Sequence, residues 1–100
     1  MRRLVWTRRA IEDTQAIKAF IERDSPHSAE LVVTRIITAV DQLPAFPEFG
    51  RVVPEYREPT IREIIRPPYR IVYRLRREEI QVITVHHAAR LLRPELDPGP

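Results

Sequence analysis

The stretch TIREIIRPPYRIVYRLRREEIQVITVH, residues 60–86, decides the fold. Thr60 to Arg66 alternates Ile61, Glu63 and Ile65 with Arg62, Ile64 and Arg66. Tyr69 to Arg76 alternates Tyr69, Ile71, Tyr73 and Leu75 with Arg70, Val72, Arg74 and Arg76. Successive side chains of a strand point to opposite faces, so this two-residue period predicts two strands. Pro67-Pro68 makes the turn between them. Arg77-Glu78 is a tight connection to a third strand, running from Glu79 or Ile80 to His86. The apolar residues of that strand fall on both faces, which predicts a central position in a sheet.

Working outward, residues 2–6 read as a short first strand and Thr7 as a helix N-cap. From Arg8 to about Arg23 the period becomes helical, with Ala10, Thr14, Ile17, Phe20 and Ile21 on one stripe. Glu12 and Asp13 in the first turns and Arg23 in the last suit the helix dipole. Ser25-Pro26 restarts a helix, with serine at the cap and proline at the first helical position. The second helix runs to about Leu43, with Ala29, Val33, Ile36, Val40 and Leu43 on its stripe, and Val32 and Ile37 broadening it. Pro44 ends it. Only Asp24 and Ser25 separate the two helices, which predicts an antiparallel hairpin.

Residues 44–59 hold Pro44, Pro47, Pro54 and Pro59 and read as a turn-rich loop. Phe46, Phe49, Val52, Val53 and Tyr56 require burial, so the loop is expected to be ordered. Residues 88–93 read as a helical turn and 94–100 as a frayed proline-rich tail. The expected fold is α+β: an N-terminal strand, then an antiparallel helical hairpin packed on a small, mainly antiparallel four-stranded sheet, forming a single domain over 1–93.

The sequence contains no cysteine, which excludes a disulfide scaffold, a thiolate zinc site and a cysteine nucleophile. No metal site or cofactor is expected. No stretch approaches the roughly 20 apolar residues of a membrane span. The basic, then apolar N-terminus is cut short by Arg8 and Arg9, so it does not read as a signal peptide. A cytoplasmic location and no membrane partner are the expectation.

Charge placement carries more than net charge. Residues 1–50 hold seven basic and seven acidic side chains, which cancel. Residues 60–77 hold six arginines against Glu63 alone, a local excess of five. Arg62, Arg66, Arg70, Arg74 and Arg76 form a candidate basic binding face for nucleic acid or an acidic protein segment. Arginine favours planar, bidentate contact with phosphate or carboxylate. The bland alternative is a solvated face, with Glu55 and Glu63 as ion-pair partners of nearby arginines and Tyr69 and Tyr73 as packing residues.

The element order also resembles that of the ParE/RelE toxin superfamily of type II toxin–antitoxin systems. Trp6-Thr7-Arg8-Arg9-Ala10-Ile11-Glu12-Asp13 is similar to the family's strand-to-helix opening. Phe49-Gly50-Arg51-Val52-Val53-Pro54-Glu55 resembles its proline–glycine–arginine loop. Ile61-Arg62-Glu63-Ile64 and Tyr69-Arg70-Ile71-Val72-Tyr73-Arg74 look like its paired central strands. Val85-His86-His87-Ala88-Ala89-Arg90 is similar to its ending, which makes His86, His87 and Arg90 candidate C-terminal site residues. The ParE-like branch is the nearer match.

The resemblance implies one of two activities. ParE-like members poison DNA gyrase and are not regarded as enzymes. RelE-like members cleave mRNA in the ribosomal decoding site. Both are silenced by a cognate antitoxin, ParD-like for the ParE branch. Metal-free RNA cleavage needs a base, a cation for the phosphorane and an acid. In the nuclease reading the resemblance offers Glu48 or Glu55 as base, Arg70 as cation and His86 or His87 as acid, with Glu55, Arg70 and His86 as the candidate set. Against that reading, His87 is followed by Ala88-Ala89 where nuclease members with a terminal histidine often carry tyrosine. Lys18 is also the only lysine, where other nuclease members cluster several. A simple binding module, either a degenerate family member with no toxicity or a basic nucleic-acid binder, is the third expectation.

Overall fold

Strand β1 (Arg3–Trp6) runs into helix α1 (Arg8–Glu22) through Thr7. The Thr7 hydroxyl accepts from the Ala10 N–H at 3.2 Å and donates to the Val82 carbonyl at 2.8 Å. The cap therefore also docks the helix start onto the sheet. Ser25 caps helix α2 (Pro26–Asp41) by accepting from Ser28 N–H at 3.1 Å. The expected dipole arrangement is corrected on α1. Its first turn carries Arg8 and Arg9, and Arg23 is the C-cap. Asp13 lies beyond that turn and accepts from the Thr84 hydroxyl at 2.5 Å and the Val85 N–H at 3.1 Å. It is spent on holding the helix to a strand.

The computed structural model describes residues 1–88. Its remaining strands are β2 (Arg51–Val52), β3 (Ile61–Arg66), β4 (Tyr69–Leu75) and β5 (Glu79–His87). They form one five-stranded sheet in the order β1-β5-β4-β3-β2. The expected four strands are corrected to five, because Arg51 and Val52 pair with Glu63 and Arg62. A two-residue strand has no period to read; only its partner defines it. The pairs β2–β3, β3–β4 and β4–β5 are antiparallel, and β1–β5 is parallel. β5 is interior, as its apolar residues predict. A bulge sets Val72 opposite Thr84 but Tyr73 opposite Val82, leaving Ile83 as the extra residue.

Both faces of the sheet are covered. On one, Ile36, Val40 and Leu43 of the helical hairpin segment pack with Ile64, Ile71, Tyr73, Ile80, Val82 and Val85. On the other, Val53 joins Ile61, Val72 and Ile83, with Tyr56 packed against them. The loop after β2 is thus the lid of a second, smaller core. Four apolar residues depart from expectation. Phe20, Phe46, Phe49 and Ile37 are 69%, 63%, 50% and 42% exposed. Among the described residues, no helix is long and apolar enough to cross a membrane. The expected helical turn at 88–93 and tail at 94–100 lie, from residue 89 onward, outside the described residues.

Candidate functional site

A single acidic residue stands in the basic stretch 60–77, and it lies at the centre of the site. Glu63 sits between Ile61 and Ile65 on the alternating set of β3 that packs against the second core. Its side chain is fully buried. A buried carboxylate is costly unless it is paired and hydrogen-bonded. Glu63 is held on two sides: Arg70 Nε donates to Oε1 at 2.5 Å and Arg51 Nε to Oε2 at 2.7 Å. Arg70 is itself 6% exposed and grips Glu55 in a bidentate fork, Nη1 to Oε2 at 2.8 Å and Nη2 to Oε1 at 2.9 Å. The two carboxylates and two guanidiniums balance. The fork to Glu55 is the largest influence on Arg70 and holds its pKa above the ordinary arginine range; burial opposes this and Glu63 reinforces it. The expectation that Glu55 and Glu63 pair with nearby arginines describes this cluster.

Gly50 lies beside the cluster. Its N–H donates to the Tyr73 hydroxyl at 2.9 Å, and that hydroxyl donates to the Pro47 carbonyl at 2.8 Å. Arg62 Nη1 donates to the Gly50 carbonyl at 3.0 Å. The turn Pro47–Gly50 is therefore stapled to the sheet, and Tyr73, fully buried, is a packing residue with a polar tip. Burial raises the Tyr73 phenol above its usual 10.0, with the Gly50 N–H working the other way. The unfolded chain therefore loses this proton first as pH rises. Stability from Tyr73 is complete below pH 10 and lost above it. In an ultraviolet titration the Tyr73 phenol should ionise above pH 10. Tyr73→Phe should remove that step and cost about 1–3 kcal/mol at neutral pH. A titration curve that Tyr73→Phe leaves unchanged above pH 10 would contradict this placement.

The three candidate nuclease residues do come together. Register sets Arg70 opposite His86 across β4 and β5, and Glu55 reaches Arg70 from the loop. His86 is 9% exposed. His87 is exposed, with its ring edge-on to Tyr69 at a centroid separation of 6.2 Å. His86 and His87, with Asp13, Ile17, Phe20 and Tyr69, line a groove of about 470 Å³ between α1 and the end of β5. Among the described residues no three His, Asp or Glu side chains gather as a metal-binding group. Arg90 lies outside the described residues.

The single basic face is corrected. The β3–β4 register puts Arg62 opposite Tyr73 and Arg66 opposite Tyr69, whereas Ile61 and Ile65 stand opposite Arg74 and Arg70. Cross-strand partners share a face. Arg62 and Arg66 therefore lie on the helix side of the sheet and Arg70 and Arg74 on the other. Arg66 sits over the Phe49 ring, 5.8 Å from its centroid. Arg76 is exposed beyond the end of β4. Alternation was visible in the sequence, but the parity of the pairing between strands was not. Arg51 and Gly50 belong to the site although no charge or hydropathy pattern in the sequence marks them. The signal available for a buried hub was Glu63, the one acid on an otherwise apolar strand face.

Comparison with known proteins adds an independent line. Residues 4–92 match the family model described as the ParE toxin of the type II toxin–antitoxin system parDE. The chain is 38% identical to Toxin RelE2 of Caulobacter vibrioides over 92 residues, 91% of this chain and all of that protein. It is 42% identical over 89 residues to Y4kP of Sinorhizobium fredii, covering 87% of this chain and 88% of the other. In structure it resembles a chain of the chromosomal ParDE toxin–antitoxin system from P. aeruginosa with a TM-score of 0.71 and 28% identity, covering 87% of this chain and 96% of that one. The fold of two helices on a mixed sheet, the near-complete coverage of toxin relatives and the family model matched over residues 4–92 lead to one conclusion: this chain belongs to the ParE toxin family of type II toxin–antitoxin systems.

Proposed function

We propose that the chain poisons DNA gyrase and is neutralised by a cognate ParD-like antitoxin, acting in the cytoplasm. The observation that supports gyrase over RNA as the target is the burial of Arg70. A nuclease of this type needs a cation that can reach the phosphorane. Arg70 is 6% exposed and committed to Glu55 and Glu63. The antitoxin has a suitable surface on the helical hairpin, where Ile11 and Ile37 are 44% and 42% exposed. With Trp6 and Gln15 they line an apolar groove of about 250 Å³. Apolar residues left open in this way are what the tail of an antitoxin folds onto.

A RelE-like mRNA endoribonuclease is the second reading. It is favoured by the register that sets Arg70 beside His86 with Glu55 in contact, and by the RelE name carried by the Caulobacter relative. Pulse-labelling after induction of the chain alone separates the two. Under the gyrase reading DNA synthesis stops first, cells filament, and His86→Asn remains toxic. If protein synthesis stops first while DNA synthesis continues, the gyrase reading fails and His86 becomes the residue to test for general acid chemistry.

A further inference from the structure

Residues far apart in sequence meet at the end of the sheet where the β4–β5 hairpin turns. The Arg76 N–H donates to the Glu79 carbonyl at 2.9 Å and closes the hairpin, leaving Arg76 and Arg77 exposed at its tip. The parallel pairing of β1 with β5 sets Arg3 opposite Glu79, and the Arg3 N–H donates to the Glu78 carbonyl at 2.9 Å. Arg2 and Arg3 are thereby brought beside Arg77, and with Glu78 they line an open groove of about 470 Å³. Arg76, the residue before Arg77 on the hairpin, is exposed at the same end of the sheet outside the groove, so four arginines stand at this end with Glu78 and Glu79. The Arg3–Glu79 ion pair, at 3.5 Å with Arg3 76% exposed, is a surface pair of small worth that gives way readily to a stronger anion.

We propose that this arginine end, formed by Arg2, Arg3, Arg76 and Arg77, binds the phosphodiester backbone of nucleic acid. The other large exposed apolar side chains among the described residues are Ile11, Phe20, Leu31, Ile37, Phe46 and Phe49, all on the helices or the loop after α2; at this end there is Met1 alone. A protein partner is held chiefly by buried apolar and aromatic anchors, and this end offers almost none. A polyanion needs only cations at suitable spacing, and guanidinium forks match phosphate oxygens. The contact is independent of which target the toxin poisons.

Fluorescence anisotropy of the full chain with a labelled 20-base-pair DNA duplex and a labelled RNA hairpin tests this. With about four phosphates engaged, log affinity should fall with log salt at a slope of about −3 to −4. Arg76→Gln/Arg77→Gln should weaken binding about tenfold and make that slope shallower by about two. Arg23→Gln/Arg35→Gln, which removes the same charge from exposed positions on or at the end of the helices, should change binding less than about threefold. Circular dichroism confirms that both variants are folded. Tighter binding of either nucleic acid supports the proposal, and the preference identifies DNA or RNA as the source of the phosphates. Equal losses in the two double variants would overturn it, since net charge alone would then explain the binding. So would no binding at 50 mM salt, or tighter binding of polyglutamate than of both nucleic acids.

Discussion

Arg70→Ala is expected to destabilise the protein by about 3–5 kcal/mol, because it leaves Glu63 buried with half of its partners gone. Glu63 has no exposed side-chain surface and cannot recover the loss by hydration. Glu55, 19% exposed and gripped by the Arg70 fork, loses two charge-assisted hydrogen bonds as well. For a domain of this size the fall in Tm should be at least about 12 °C. Arg70→Met combined with Glu63→Leu should be less destabilised than either change alone, since a buried pair replaced by apolar groups of similar size costs little. Thermal or urea unfolding of Arg70→Ala, Arg70→Met, Glu63→Leu and the double variant checks this. A single Arg70→Ala change within about 1 kcal/mol of the parent would mean that the cluster is not a buried ion-pair hub. There is a functional consequence. Loss of toxicity in Arg70→Ala does not by itself indicate catalysis, because the variant is weakened in fold. The nuclease question rests better on His86 and on which synthesis stops first.

Gly50→Ala is expected to cost about 3 kcal/mol, near the upper end for overpacking. A Cβ at this position would lie 2.5 Å from the Glu63 carbonyl oxygen, 2.9 Å from the Glu63 carbonyl carbon and 2.8 Å from Tyr73 Cε1. Two of the three atoms are backbone of a strand held in the sheet, so they yield only if the β2–β3 pairing opens. The third belongs to the buried Tyr73 ring, whose hydroxyl fixes Gly50 itself. Relief therefore also breaks the staple on the Pro47–Gly50 turn. Hydrogen exchange should show the Gly50 N–H losing protection together with the Val53 N–H, which donates to Ile61 at the same edge. A variant of parental stability with both protections intact would show that the loop has room the structure does not display.

Several features follow from local sequence alone. The two-residue period of 61–66 and 69–75, the proline turn between them and the apolar run of the last strand define three strands, because a strand must bury every second side chain. Ser25-Pro26 restarts the helix, since proline lacks the N–H that the first helical turn does not use. The family resemblance was carried by these same segments. Tertiary pairing decided the rest. Alternation assigns the arginines of β3 and β4 to two sets, but only the register shows that Arg62 and Arg66 face the helices while Arg70 and Arg74 face the other way. A shift of one residue would have exchanged those faces. β2 exists only through Glu63 and Arg62, and the arginine end exists only because β1 lies parallel to β5, more than seventy residues later in the chain. The exposure of the phenylalanines has the same cause. Hydrophobicity favours burial, but whether a site exists to receive Phe20, Phe46 or Phe49 depends on which elements reach them, and that is settled by long-range contacts rather than by neighbours in sequence.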